Sequence, residues 1–509
     1  MRITVLLDRA RLFRWHLALI EALRSAGHGA SVRFRDAQDP LPTSLTAILD
    51  FDRARGHTSS DRFSTRLKPH DFDAHSEVSG LPSDITLDLS SSNTIQRLAG
   101  PVVRPAYDGS PKDYALFHAL LDRHAPHLTL WHSEYPQPFD IGTPALETPL
   151  RFAASFDQTA SRLVEGIVRF FRSTPERFPI DKTAPFLRPK DAGSSILSSA
   201  RGFLTARTRR KVRRMSDMFS GNAPRWHVAW RALTAIEPVA PGTLHLPDFQ
   251  ILTDDSERSY SDPFVFERFG VAHLFVAELP EATGIGVISH SVFSGKKFET
   301  PRPVLQTSSR LSYPFVFERD GHVWMMPEQS SGSGLDLYRC TDFPGTWVHE
   351  CRLIDGHLHD ATLFEHDGLL WIAAASAAFQ SSTWDALALF WAESLTGPWH
   401  PHARNPVIVD GHAARPAGPL WRTDGQLYRP AQDCSGGFGS ALTVKRITEL
   451  SRDTFAEEIA GAVSFARNQH LLGPHMIGRG GGIEVIDLYA RPSAIRAAFR
   501  AGFRSAIGL

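Results

Sequence analysis

The octapeptide Ser261-Asp262-Pro263-Phe264-Val265-Phe266-Glu267-Arg268 returns 51 residues later as Ser312-Tyr313-Pro314-Phe315-Val316-Phe317-Glu318-Arg319. Gly270 and Gly321 follow at the same offset, and each copy runs on through a second apolar stretch (271–277 and 322–326) toward an acid, Glu278 or Glu328. A unit of about 50 residues built from short β-type runs cannot bury its apolar face alone, so it stacks on further copies, as propeller blades do. The packing residues are kept while Asp262 gives way to Tyr313. A polar position that varies within a constant packing frame is expected to face a site.

Three more glycine-centred hairpins follow the two copies, at Gly368, Gly425 and Gly480–Gly482. Between them lie runs suited to outer strands, such as 335–340 with 347–353 and 387–393 with 399–401. Five inner hairpins with outer partners predict a five-bladed β-propeller over residues 223–492. Residues 226–233 precede the first copy and are expected to pair with the last blade, which closes the ring and removes its edges.

Residues 1–175 alternate strand and helix, with apolar strands at 3–7, 30–35, 85–89 and 128–131 and helices at 14–26, 112–124 and 156–171. Such alternation predicts an α/β Rossmann-like domain with a parallel sheet. The first turn, Asp8-Arg9-Ala10-Arg11, lacks glycine, so its backbone cannot approach a pyrophosphate closely. Residues 176–222 read as a proline-rich and then basic linker, and 493–509 as a basic amphipathic helix.

Lys plus Arg balances Asp plus Glu at 55 each, which gives no global charge for nucleic acid. Three cysteines supply neither a disulfide framework nor a metal-ligand spacing, and a cytoplasmic location is expected. No run of eighteen apolar residues offers a membrane span. The basic segment 201–214 reads as a solvated linker helix or as a contact with an anionic membrane face or a phosphate-bearing substrate. Segment 493–507 reads as a cap on its own domain or a membrane-surface helix, so that both are candidates for peripheral contact with the inner face of the membrane.

In a propeller the first strand of each blade lines the central channel. Asp262, Tyr313, Asp360, Arg415 and His475 open the five repeats and are expected to converge there. Glu278, Glu328, Gln432 and Asp433 end second strands and are candidates for the same funnel or its rim. Channel-lining polar groups also satisfy one another, so binding and packing roles both stand.

The propeller half resembles the five-bladed family 43 glycoside hydrolases, in which a blade-one Asp-Pro is the general base, a blade-three Asp tunes its pKa and a blade-four Glu is the acid. Asp262-Pro263 and Asp360 fit the first two places, but Ala417 stands at the third. Alanine cannot protonate a leaving group, so the resemblance implies hydrolysis only if Glu328 supplies the proton. His475 resembles a fifth-blade histidine near a central calcium, which makes calcium a candidate ion.

A closer resemblance rests on LSYPFVFERDGHVWMMPE, DATLFEHDG, SLTGPWHPHARNPVIVD, ARPAGPLWRTDGQLYRPAQDCS and ITELS. These segments look like the N-terminal propeller of plant glucosamine inositolphosphorylceramide transferases, whose bacterial relatives join it to a formyltransferase-like domain. The resemblance implies a carbohydrate-active protein with catalysis of the plant enzymes held in a separate C-terminal domain. The formyltransferase histidine is missing from the matching strand, which runs Leu87-Asp88-Leu89-Ser90-Ser91-Ser92-Asn93. A degenerate scaffold is therefore expected at the N-terminus.

Two functional readings follow. In one, the chain is a glycosyltransferase-type enzyme of glycolipid or surface-polysaccharide synthesis, acting on a sugar or glycolipid substrate with a sugar nucleotide donor. Asp262, Asp360 and Glu328 are then the catalytic candidates, and Tyr313, Arg415, Gln432, Asp433, Glu278 and His475 bind substrate, with Arg415 placed to meet a phosphate. In the other, the propeller recognises glycans without turning them over.

Overall fold

The computed structural model describes residues 1–35, 41–55, 62–76, 82–91, 100–173, 196–219, 223–233, 241–253, 255, 257–330, 334–465 and 471–495. The proline-rich part of the expected linker, and the expected C-terminal helix beyond Ile495, lie outside these residues. By backbone contacts the chain divides into two units, Met1–Arg214 with Ala378–Ser382, and Met215–Ala377 with Thr383–Leu509.

The first unit holds a six-stranded sheet in the order β2-β1-β3-β4-β5-β6. Its strands are β1 (Arg2–Asp8), β2 (Gly29–Arg35), β3 (Ile85–Asp88), β4 (Val102–Tyr107), β5 (Leu128–His132) and β6 (Phe139–Gly142). The expectation of a parallel sheet needs correction. Strands β2, β1, β3 and β4 run parallel, whereas β5 and β6 are antiparallel. The link from β5 to β6 is too short for a crossover and can only make a hairpin. Helix α1 (Arg14–Ser25) buries Leu19, Ile20 and Leu23, closing on the sheet at the period of an amphipathic helix. Later in the chain come α2 (Thr43–Arg55), α3 (Asp113–Leu121), α4 (Phe152–Arg172) and α5 (Ile196–Phe219). Helix α4 is buried along most of its length, from Phe152 to Phe171. This sheet order does not by itself make the unit a formyltransferase.

The second unit is a five-bladed propeller. Blade 1 comprises Arg258–Arg268, Val271–Pro280, Val287–Val292 and Arg302–Leu305, and blade 2 Leu311–Arg319, His322–Gln329, Gly334–Asp342 and Thr346–Asp355. Blade 3 is built on Leu358–His366, Leu369–Ser376 and Ala386–Ala392, and blade 4 on Trp421–Thr423, Gln426–Asp433, Ala441–Leu450 and Phe455–Phe465. Blade 5 joins the two ends of the unit: Ile477–Gly480 and Ile483–Ala490 pair onward to Arg225–Ala232 and Gln250–Ile251. The register runs from Ile483 opposite Ala232 to Ala490 opposite Arg225. The closing strand expected at 226–233 is therefore this one, and closure satisfies backbone groups that an open edge would expose.

Each inner hairpin turns through two residues of positive φ, as in Asp320-Gly321 (51° and 73°), Asp367-Gly368 (49° and 75°) and Asp424-Gly425 (50° and 75°). Such two-residue turns match the right-handed twist of the strands they join. The repeated apolar residues meet between blades: Phe264, Phe275, Phe315, Met325, Met326 and Ile372 share one core cluster. These hairpins and inter-blade cores hold the inner strands around a common axis.

Candidate functional site in the propeller

Blades 1, 2 and 3 share a local device at the start of the inner strand. Register shifts fall between Ser261 and Phe264, between Ser312 and Phe315, and between His359 and Thr362. The first bulged residue takes a left-handed backbone in each case: Asp262 at φ 51°, Tyr313 at 45° and Asp360 at 51°. In blades 1 and 2 the next residue is proline, which cannot donate to the ladder, so the extra residue falls where pairing is already interrupted. Left-handed backbone is costly for non-glycine residues, most of all for a bulky one such as tyrosine. The bulge turns all three side chains inward, and all three are buried.

Two charged clamps form there. In the first, His475 of blade 5 lies between two carboxylates, its Nδ1 2.6 Å from Asp487 and its Nε2 3.0 Å from Asp262. The backbone N–H of Asp262 also donates to Asp487 across 3.0 Å, and those of His475 and Met476 donate to the other oxygen of that carboxylate. Burial works against a charged imidazole, but Asp487 and Asp262 outweigh it and raise the His475 pKa to about 10.

The second clamp centres on Arg415 of blade 4. Its Nε donates to Asp360 Oδ2 across 2.6 Å, its Nη1 donates to the hydroxyl and carbonyl of Thr383, and its Nη2 lies 3.7 Å from Glu328. Gln432 donates to the same Asp360 oxygen across 2.7 Å. Glu328 accepts the N–H of Asp360 at 3.1 Å and meets His359 Nδ1 at 3.0 Å. The carboxyls part company electrostatically. Burial raises the Asp360 pKa to about 7, with Glu328 and Asp262 adding to the rise and Arg415 opposing it. Burial acts the same way on Glu328, yet His359, Arg415 and a hydrogen bond with the Asp360 side chain overcome it and hold that carboxyl well below its ordinary range.

Tyr313 bridges the clamps. Its N–H donates to Asp262 at 3.4 Å, while its hydroxyl meets that of Thr362 at 2.7 Å and accepts the N–H of Gly418 at 2.9 Å. Gly418 sits at φ 125°, where a Cβ would lie 2.1 Å from the carbonyl oxygen of Ile477, so only glycine fits. Its neighbour Ala417 is fully buried in an apolar cluster with Ile477 and Leu488.

Aromatic rings stand beside the charges. Phe438 lies 5.1 Å under the Arg415 guanidinium and packs with Trp384, Trp226 and His475. Phe438, Trp384 and Trp226 are all partly exposed.

The structure thus brings Asp262, Tyr313, Glu328, Asp360, Arg415, Gln432 and His475 into one connected network. Two candidates fall outside it. Glu278 binds Arg258 at 2.9 Å and Ser289 at 2.6 Å. Its register explains why: Glu328 lies opposite Ser312, and the equivalent of Ser312 in blade 1 is Ser261, which lies opposite Ala277. Glu278 therefore matches Gln329, and a one-residue offset turns a side chain to the other face of a strand. Adding the repeat length of 51 to position 278 gives 329 and would have exposed this from the sequence. Asp433 instead caps the Ser435 backbone at 2.9 Å and faces His412 at 3.5 Å. Sequence reasoning missed Asp487, Thr383 and Phe438, which no repeat position marks, and also His359, which the repeat did offer as the counterpart of Ser261 and Ser312.

Asp262, His475 and Asp487 have the composition of a metal site, with all their ligand atoms within 4.8 Å of one another. They do not fit calcium, which takes six to eight oxygens. The imidazole itself occupies the space between the carboxylates, and its positive charge answers theirs.

In the first unit a cavity of about 40 Å³ opens where β1 and β3 end, lined by Asp8, Arg11, Asp88, Ser90 and Asp113 among others. Arg11, from the glycine-free turn, donates twice to Asp113 there.

Residues 226–471 match the family model described as "Glucosamine inositolphosphorylceramide transferase 1, N-terminal". The propeller is similar to that domain. Glucosamine inositolphosphorylceramide transferase 1 of Oryza sativa subsp. japonica is 32% identical over 243 residues, 47% of this chain and 31% of that protein. The transferase of the same name from Arabidopsis thaliana is 31% identical over 202 residues, covering 39% and 26%. The chain thus matches only about a quarter to a third of the length of these transferases, and the family match lies in the propeller half. Among solved structures, the family 117 glycoside hydrolase Zg3597 of Zobellia galactanivorans is similar at 14% identity and a TM-score of 0.33, over 48% of this chain and 77% of that one. That likeness is too loose to carry an argument.

Proposed function

We propose that this chain is a carbohydrate-active protein of glycolipid or surface-polysaccharide synthesis, working in the cytoplasm. Its propeller holds a saccharide at the funnel, and glycosyl transfer from a sugar nucleotide is the reaction that this binding serves. The observation that carries the reading is a pair of buried clamps, Asp262–His475–Asp487 and Glu328–Arg415–Asp360, beside aromatic rings and without an acid at Ala417. Carboxylates and amides accept and donate to sugar hydroxyls, while aromatic faces cover the apolar side of a sugar ring. Hydrolysis with Glu328 as the acid fits poorly, because that carboxyl is held ionised. Arg415 is a weaker phosphate receptor than its sequence position promised, since its guanidinium is turned to Asp360, Thr383 and Glu328.

A second reading has transfer occurring at this funnel. Its support is the Asp360 pKa near 7, in the range where a carboxyl can exchange a proton at neutral pH. In that case Asp360 takes the proton of an acceptor hydroxyl that Asp262 orients. The hydroxyl oxygen bonds to the donor's anomeric carbon, and the bond from that carbon to the phosphate oxygen breaks as the nucleotide leaves with the electron pair.

Calorimetry with a glycan panel, run beside a sugar nucleotide turnover assay, separates these readings. Binding that Asp262→Asn weakens, without turnover, supports recognition. Turnover lost in Asp360→Asn supports transfer at the funnel. Release of sugar from aryl arabinofuranosides or xylosides would show hydrolysis instead, and absence of any saccharide binding would remove the proposal.

A further inference from the structure

Helix α5 changes character half-way along. Ile196, Ser199, Ala200 and Phe203 are buried, and Phe203 meets the ring of Phe152 at 6.3 Å, which fixes this end to the first unit's core. From Leu204 to Arg213 no residue is buried. Arg207 is held by Asp52 and stacks on Phe51, while Arg201, Arg209, Arg210, Lys211 and Arg213 are exposed. No acidic residue occurs between Ile196 and Met215.

A helix half that buries no residue gains little from the packing that ordinarily supports helices. Arg209 and Arg213 stand one turn apart on one face, with Arg210 next to them. Val212, 63% exposed, sits among these cations, and Leu204, 44% exposed, lies two turns earlier. Bare apolar side chains interleaved with cations suit a surface that offers both negative charge and a hydrocarbon boundary.

We propose that residues 201–213 of α5 bind an anionic lipid bilayer surface. The cations meet lipid head groups, each contributing a roughly equal electrostatic increment, and Val212 and Leu204 reach the acyl boundary. Nucleic acid would satisfy the cations and leave the two apolar side chains in water. The inference is independent of the saccharide reading, because none of these residues belongs to the propeller network.

The test is co-sedimentation of the full chain with vesicles of phosphatidylcholine alone or with about one-third phosphatidylglycerol, at low and high salt. Binding to the anionic vesicles alone, released by high salt, is expected. The joint substitution Arg209→Gln, Arg210→Gln, Lys211→Gln and Arg213→Gln is expected to weaken partitioning at least ~10-fold while the melting temperature is kept. Val212→Ser should weaken it by a smaller factor. Equal binding to neutral vesicles, an unweakened quadruple variant, or capture of duplex DNA without vesicle binding overturns the proposal. Should the quadruple variant fold poorly, the salt dependence of the unaltered chain still decides: anionic-vesicle binding that high salt leaves intact overturns it.

Discussion

The Nε of Arg415 and the Oδ2 of Asp360 lie 2.6 Å apart, tying blade 4 to blade 3 where the inner strands begin. Both residues are buried, and the same guanidinium approaches Glu328 of blade 2, so one side chain neutralises charge from two other blades. The pair is therefore a structural joint as well as part of the candidate site.

Replacing Arg415 by Met should be among the most damaging single changes in the propeller. It leaves the buried Asp360 without its cation and Glu328 with His359 alone, and removal of one partner from a buried pair costs about 3–5 kcal/mol. Urea unfolding measures this loss. The double variant with Asp360→Asn should recover part of it, and strictly additive losses would show that the two residues are not coupled.

Saccharide binding is expected to titrate near neutrality. Because the Asp360 pKa is raised from its usual value to about 7, its carboxyl is protonated below that pH and ionised above it. The sign for stability follows: this group favours folding most below about 4, and that contribution fades as pH rises through about 7. Calorimetric titrations across pH 5.5–8.5 should show a transition in affinity near pH ~7 that Asp360→Asn abolishes. A flat profile in the unaltered protein counts against the assignment.

His475 predicts loss of stability on the alkaline side. Its folded pKa of about 10 exceeds the unfolded value near 6.5, so its contribution is complete below about 6.5 and disappears as pH rises through about 10. Melting temperatures should fall over that interval in the unaltered protein. In His475→Gln the fall should be shallower, from a lower starting point.

Tyr313→Phe isolates one hydroxyl. The change keeps the ring that packs on Phe264 but deprives the buried Gly418 N–H of its acceptor. A loss of about 1–3 kcal/mol is expected, the cost of an unsatisfied buried donor. Chemical denaturation measures it, and a change below about 0.5 kcal/mol would mean that another acceptor serves Gly418.

Exchanging Gly418 for Ala should prevent blade 4 from seating against blade 5. The added methyl group meets the Ile477 carbonyl, and φ 125° disfavours any side chain. Poor soluble expression, or a strongly lowered melting temperature, is the expected result.

Much of the fold was legible because propeller blades repeat. The 51-residue spacing, the Asp-Gly turns and the strand before the first copy identified five blades and their closure without any long-range information. The same repetition named Asp262, Tyr313 and Asp360, since a bulge at an equivalent place in each blade turns the equivalent side chain inward. The N-terminal half has no repeat, and its alternating pattern could not reveal that β5 and β6 run antiparallel. Strand direction depends on how a connection packs, which periodicity does not encode.

By itself, the amino-acid order determined which positions open each blade and where the hairpins turn, because both are local patterns carried by neighbouring residues. Only the tertiary structure decided how the charges pair. It set His475 between Asp262 and Asp487, turned Arg415 to Asp360 and Glu328, and gave two nearby carboxyls opposite pKa shifts. Those outcomes depend on ångström distances between side chains far apart in the chain and on the exclusion of water, and Coulomb interactions and desolvation respond to both.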